Sequence, residues 1–238
     1  MKNKKEMIYP DDFINKIIQG DCLEVMKDIP DKSVDLVLTD PPYGVGLKGK
    51  RTKNKISLQN KGYESNFEDT PEYIKKIVIP AIKESIRIAK RVVVTCGIRN
   101  MFLYPKPDDI GCVFNPSGAG MGRWGFICFQ PILYYGKDPY LEKRLGSRPN
   151  GFKDTQASEK IEGFPCPKPL KWMEWLIQRA SFENDIVLDP FLGSGTTAVA
   201  AKHLGRNFIG IEISEKYCEI ARQRLRQEVM DFSQSKTL

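Results

Sequence analysis

Several things are scarce in this sequence, and each scarcity excludes something. There is one histidine, His203, in 238 residues. Proton shuttling by imidazole and His-rich metal sites are therefore poor guesses, and no metal is expected. Six cysteines (Cys22, Cys96, Cys112, Cys128, Cys166, Cys218) are scattered, with no C-x-x-C pair. That pattern suits reduced thiols in a cytoplasm rather than a disulfide frame or a zinc site. No apolar run approaches the ~20 residues of a membrane span. The N-terminal MKNKKEMIYPDD lacks the apolar stretch of a secretory signal. Internal repeats, low-complexity tracts and clear linkers are also missing. Acid is absent from one stretch. Gly44 to Tyr63 reads GVGLKGKRTKNKISLQNKGY and carries Lys48, Lys50, Arg51, Lys53, Lys55 and Lys61. Within a chain of net charge +7, residues 44–63 are read as a basic mobile loop. It is either plain solvated surface or a segment that tracks phosphates.

What is present alternates. Apolar strands are expected at Ile14–Ile18, Val34–Thr39, Arg91–Thr95, Ile186–Leu188 and Phe208–Ile211. Ile127–Tyr135 is a further strand, with Pro131 arguing for an edge or a bend. Helical periodicity covers Pro71–Lys90, Pro169–Ser181, Thr196–Leu204 and Ser214–Glu228, the last with Ser214 as N-cap. Pro107–Gly125 reads as irregular, Asp138–Gly163 as a polar loop, and the final DFSQSKTL as frayed. Strands alternating with helices predict one α/β domain over residues 1–238 with a mostly parallel sheet.

Two stretches carry chemistry. In IVLDPFLGSGTTAVAAKHLG, Ile186 to Gly205, a buried strand turns through glycines into a helix. Gly193 and Gly195 let a ligand approach the backbone, and the helix start offers free N–H groups. Glu212 ends the next strand about twenty residues on, where a carboxylate accepts ribose hydroxyls in nucleoside-binding folds. GSGTTA also fits the G-x-G-x-x-A pattern of a dinucleotide site. Asp189 counts against that, because it would repel a pyrophosphate. It suits an ammonium, such as the amino end of S-adenosylmethionine.

The other stretch is VDLVLTDPPYGVG, Val34 to Gly46. A strand buried on both faces ends in Asp40, Pro41, Pro42 and Tyr43. The carboxyl edge of such a sheet is where ligands bind. One Asp40 oxygen and the rigid Pro41 carbonyl together accept both hydrogens of an exocyclic amine. The amine's lone pair is then free to face an electrophile, and Tyr43 offers its ring for stacking.

These motifs, in this order, resemble the amino-methyltransferases of DNA that use S-adenosylmethionine. The likeness is to the permuted group, common in restriction-modification and phage enzymes, whose catalytic motif precedes the cofactor loop. QGDCLEVM (Gln19–Met26), TDPPYG, FQPILYYGK (Phe129–Lys137), FPCPKPLKWMEWLI (Phe164–Ile177), DPFLGSGTT and FIGIE carry it along nearly the whole chain. The resemblance implies a Rossmann-like class I methyltransferase fold, a twisted seven-stranded sheet flanked by helices. It implies that Asp40, Pro41, Pro42 and Tyr43 hold the target base. Asp21, beside Cys22, would meet the cofactor adenine and Glu212 its ribose. Asp189, Phe191, Gly193, Ser194, Gly195 and Thr196 would surround its methionine part, with Lys168 alongside. Cys166 and Pro167 depart from the family pattern, where many relatives carry a histidine and Thr-Gln.

Asp before Pro-Pro-Tyr favours adenine N6 over cytosine N4 by the same resemblance. An RNA amino-methyltransferase and a catalytically silent nucleic-acid-binding module remain as alternatives. Base recognition is expected in residues 138–164, a short target-recognition insert that contains Arg144 and Arg148. The expected partner is DNA, with a homodimer as a candidate assembly and no membrane. If the basic stretch tracks phosphates, changing Lys50, Arg51 and Lys53 together to Ala flattens the slope of log affinity against log salt by about two to three units. An unchanged slope in binding titrations would make the stretch ordinary solvated surface.

Overall fold

The computed structural model describes residues 7–45, 69–118, 120–155 and 160–234. The basic stretch, with Lys48, Lys50, Arg51, Lys53 and Lys55, lies outside the described residues. The strands are β1 (Lys16–Gln19), β2 (Val34–Thr39), β3 (Ala89–Thr95), β4 (Asp109–Phe114), β5 (Met121–Gly122), β6 (Gly125–Phe126), β7 (Phe129–Tyr135), β8 (Phe152–Lys153), β9 (Ile186–Asp189) and β10 (Asn207–Glu212). The helices are α1 (Cys22–Val25), α2 (Pro71–Tyr73), α3 (Ile79–Ile88), α4 (Pro139–Glu142), α5 (Leu170–Ala180), α6 (Thr196–His203) and α7 (Glu215–Gln234).

Eight strands pair in the order β1-β10-β9-β2-β3-β7-β4-β8. Every pairing is parallel except the two that β7 makes, with β3 and with β4. The expected seven strands are there, and the two-residue β8 adds an eighth at the outer edge. β2 lies beside β9, yet its chain continues outward to β3 while that of β9 continues the other way to β10. Such a reversal opens a crevice at the carboxyl ends of the strands. Asp40, the loop after Asp189, and Glu212 all leave the sheet at that edge.

Helices cover both faces, which is why the inner strands read as continuous apolar runs. Val34 and Val37 of β2 pack with Met26, Ile74, Val78 and Ile82 on one face. Leu36 and Leu38 turn to the other, against Trp172, Met173, Leu176 and Ala198. The helix of residues 71–88 starts at Thr70, whose hydroxyl accepts from the Tyr73 N–H at 3.2 Å. It widens into a π turn at Ile74–Val78 just before Pro80. A proline ring clashes with the carbonyl four residues back, and the wider turn relieves that clash.

Four expectations are corrected. Pro107–Gly125 is not irregular throughout, because it contains β4 and the β5–β6 hairpin. Pro131 lies inside the sheet rather than at its edge. Its carbonyl accepts from Cys96 N–H at 3.2 Å, so the reciprocal bond that its ring cannot donate falls just past the last paired residue of β3. The helix 71–88 stops two residues early because Ala89 already pairs with Val34. At the other end α7 runs on to Gln234, through residues expected to fray.

The chain after α4 climbs the outer edge against β4. There a side chain on Gly111 would collide with the Asn150 carbonyl, and one on Gly151 with that of Cys112. Neither backbone group can swing away as a flexible side chain would. Gly111→Ala should therefore cost about 1–3 kcal/mol of overpacking strain and loosen residues 148–152. A fall in thermal midpoint with faster proteolysis at that segment is the expected result. An unshifted midpoint would contradict the tight approach.

Candidate active site

Asp189 stands where the two motifs meet. It is 3% exposed. Its Oδ1 accepts from the Thr39 hydroxyl at 2.7 Å and the Phe191 N–H at 3.0 Å, and its Oδ2 from the Thr197 hydroxyl at 2.6 Å. One carboxylate thus ties the end of β2, the turn after β9 and the first turn of α6. Three protein donors engage it, two on Oδ1 and one on Oδ2, which leaves Oδ2 with spare acceptor capacity.

The loop beyond it is built for close approach. Gly193 and Gly195 have φ of +56° and +84°, which L side chains rarely adopt. A Cβ on Gly193 would meet the Phe164 ring at 2.8 Å, and one on Gly195 the Ala221 Cβ at 2.6 Å. The Ser194 and Thr196 side chains are buried. Arg224 of α7 supports them from behind, donating to the Ser194 carbonyl at 2.8 Å and the Thr196 hydroxyl at 3.0 Å. Glu212 accepts the Gly193 N–H through Oε2 and the Ser214 N–H through Oε1, both at 2.8 Å. Asp21 follows the neighbouring β1 and caps α1, accepting from Leu23 N–H at 2.9 Å. Cys22 is buried behind it, and burial pushes its thiol up to about 12, so it stays protonated.

Asp40 forms the second cluster. Its Oδ1 accepts from the Tyr43 hydroxyl at 2.6 Å and the Thr95 hydroxyl at 2.5 Å, and lies 3.3 Å from the Lys168 ammonium. Lys168 also donates to the Tyr43 oxygen at 2.7 Å and to Gln130 Oε1 at 3.2 Å. Gln130 donates its amide N–H to the same phenol oxygen. Burial and the Asp40 charge hold the Tyr43 phenol well above its usual range, so it stays protonated and donates to Asp40. The ring lies against Gly97, where a Cβ would approach it to 3.0 Å, and Asn100 holds the Tyr43 carbonyl at 2.7 Å. Asp69 fixes the next turn by accepting from Gly44 N–H at 2.6 Å and Val45 N–H at 3.2 Å.

Some expected residues are placed elsewhere. Lys168, expected beside the methionine pocket, makes its contacts with the Asp40 cluster. Arg144 and Arg148 follow β7, which runs opposite to its neighbours and returns the chain to the far edge of the sheet. There Arg91, near the start of β3, pairs with Glu142 at 2.5 Å. Arg148 lies 3.7 Å over the Tyr140 ring. The structure therefore does not bring these arginines to Asp40. Thr95, Gly97, Asn100 and Gln130 were not picked out from the sequence as site residues. Only Gln130 had a signal, its place in FQPILYYGK.

Residues 113–223 match a family described as DNA methylase. YubD of Escherichia coli (strain K12), named as a methylase, is 30% identical over 89% of this chain and 90% of its own length. The chain belongs to this DNA methylase family. The Type II methyltransferase M.HinfI of Haemophilus influenzae is 29% identical over 91% of this chain and 69% of its own. Among solved structures, the M1.HpyAVI–SAM complex superposes with a TM-score of 0.57 at 27% identity, covering 88% of this chain and 98% of that one. The cytosine-N4-specific PvuII DNA methyltransferase shares the fold, with a TM-score of 0.61 at 20% identity over 87% of this chain and 84% of that one. The protein is thus an S-adenosylmethionine-dependent DNA amino-methyltransferase of the restriction-modification type with a Rossmann-like class I fold. No described helix is long and apolar enough to cross a membrane.

Burial pushes the Asp189 carboxyl up to about 6, against the pull of Thr197, Thr39 and the Phe191 N–H. A carboxyl whose pKa rises on folding binds its proton more tightly folded than unfolded. It therefore adds stability below about pH 4 and loses that contribution as pH climbs to about 6, a swing of about 3 kcal/mol. Glu212, also raised by burial, acts in the same sense. In urea denaturation across pH 4 to 7, Asp189→Asn should lose part of this decline. A variant whose profile runs parallel to the parent's would refute the assignment.

Proposed function

We propose that the enzyme methylates the exocyclic N6 amine of adenine in DNA, acting directly on a base flipped out of the duplex. The carrying observation is the Thr39–Asp189 hydrogen bond, which sets the Asp40 cluster and the glycine loop side by side on one sheet edge. The loop fits the cofactor. Glu212, which ends β10 and accepts from two backbone N–H groups, would take the ribose hydroxyls, and Asp21 at the adjacent strand end would meet the adenine. Phe191 and the Gly193–Thr196 turn would line the methionine part. When bound, S-adenosylmethionine supplies an electrophilic methyl group on a sulfonium.

The chain's own residues then do three things. Asp40 and the Pro41 carbonyl accept the two amine hydrogens, which aims the nitrogen lone pair. Pro42 keeps that carbonyl rigid, and Tyr43 stacks on the base. The nitrogen–carbon bond would form as the methyl–sulfur bond breaks, leaving a neutral thioether, and the Asp40 carboxylate would stabilise the positive charge growing on the amine until its proton passes to solvent. Thr95, Tyr43 and Lys168 all engage Oδ1 and thereby fix the direction of Oδ2. Flipping brings the amine out of the base stack to this edge, at a cost of a few kcal/mol that backbone contacts must offset. Residues 44–63 follow the pocket in the chain and are the proposed source of those contacts, and residues 138–164 are the proposed recognition insert. Asp rather than Ser before Pro-Pro-Tyr supports adenine over cytosine.

The test incubates the enzyme with labelled S-adenosylmethionine and amplified duplex DNA, then digests to nucleosides. Label in N6-methyldeoxyadenosine is expected, and label confined to N4-methyldeoxycytidine would overturn the choice of base. Asp40→Ala should lower turnover by at least ~100-fold, the scale for removing a group aimed at developing charge, while calorimetric cofactor affinity stays close to the parent's. An Asp40→Ala enzyme with near-parental turnover would remove Asp40 from the mechanism.

A further inference from the structure

The β4–β7 ladder does not stop at the sheet edge. Asn115 N–H donates to the Cys128 carbonyl at 2.7 Å and Ile127 N–H to the Gly120 carbonyl at 2.9 Å. Met121 then pairs with Phe126 and Gly122 with Gly125. The resulting hairpin projects from the edge that carries Asp40, and its tip is Arg123-Trp124. Trp124 is fully exposed, and Phe126 and Met121 are mostly so. A hairpin tip with a bare indole costs hydration and has no packing role in the molecule as it stands. Its root is part of the site, because Gln130, one residue past the Phe114–Phe129 pair, donates to the Tyr43 phenol.

We propose that this hairpin enters the DNA and that Trp124 stacks on the bases flanking the flipped target. The inference rests on the DNA amino-methyltransferase reading and names the side chain that holds the distorted duplex. Reach supports it. Trp124 lies six positions before Gln130, and at roughly 3.3 Å per strand residue the tip stands up to ~20 Å beyond the pocket wall, far enough to reach the stack beside a base lodged at Asp40. Chemistry supports it as well. From Asn115 to Cys128 the sequence holds Arg123 and no acidic residue, so the aromatic tip carries a cation suited to phosphates. Indole faces stack on any base. A second copy of the chain is a poorer occupant. The tip offers few large side chains, and a specific dimer buries ~800 Å² on each partner.

Trp124 supports no other residue, so its variants should fold. On amplified duplex DNA, Trp124→Ala should lower kcat/KM for methyl transfer by about ten- to hundred-fold, the scale for losing one base–aromatic stack. On the same DNA heat-denatured, the loss should be under about three-fold, because no duplex has to be held open. Trp124→Phe should keep most of the duplex activity. Equal losses on both substrates, or no loss on either, would overturn the proposal. So would a variant that turns a dimer into a monomer while its duplex activity is intact. A binding arm separates this inference from the functional reading. Trp172 is buried and Trp175 packs on Phe152, so duplex DNA should quench emission in the parent and not in Trp124→Phe. If the parent transfers no methyl group to DNA, the functional reading fails, and the quench alone decides: its presence only with Trp124 sustains the hairpin contact, and its absence refutes it.

Discussion

The buried carboxylate of Asp189 is the constraint on which the site depends. A carboxylate loses much hydration when it is 3% exposed, and it survives there only if donors surround it. Those donors are the Thr39 and Thr197 hydroxyls and the Phe191 N–H. Each comes from an element that must be held for another purpose. Thr39 precedes Asp40, Phe191 starts the glycine turn, and Thr197 lies in the first turn of α6. Satisfying one buried charge therefore sets the acceptor motif and the cofactor loop in a single frame. The proposed direct transfer would require such a frame, because two reactants must meet with little freedom left.

The acceptor side follows a related logic with less burial. Asp40, Tyr43, Thr95, Gln130 and Lys168 come from four separate places in the chain, and their polar atoms converge on one carboxylate oxygen and one phenol oxygen. A phenol gives one hydrogen bond and accepts two, and Tyr43 uses all three. The ring is thereby locked before any base arrives. Gly97 completes the arrangement by leaving room for the ring against the backbone. Such networks rigidify when every member is satisfied, which is what an amine-positioning site needs.

The one reversed strand has consequences at both of its ends. Because β7 runs against its neighbours, its start lies beside Asp40 and its end at the far edge. The hairpin that precedes it therefore overhangs the site. The segment that follows it, with Arg144 and Arg148, begins on the wrong side of the sheet for the reaction. Only after climbing past β4 does the chain return to the working edge at β8, and Phe164 then packs by the cofactor loop.

Read by itself, the sequence determined the chemistry's ingredients and the class of fold. Val34–Thr39 matched its strand residue for residue, since burial on both faces leaves an unbroken apolar run. The glycine turn before a helix and the strands that end in Asp40 and Glu212 were equally legible as structure, because each needs a particular residue type at a local spacing. Strand β4 was not, since its apolar pattern is weak and its identity comes from pairing with β7. The roles of Thr95, Gln130 and Asn100 were hidden because ordinary polar residues acquire meaning only through a partner distant in sequence. The placement of Lys168, Arg144 and Arg148 was likewise decided by topology. Side-chain type is written along the chain, whereas proximity across the sheet depends on strand order and direction, which local residue patterns do not encode.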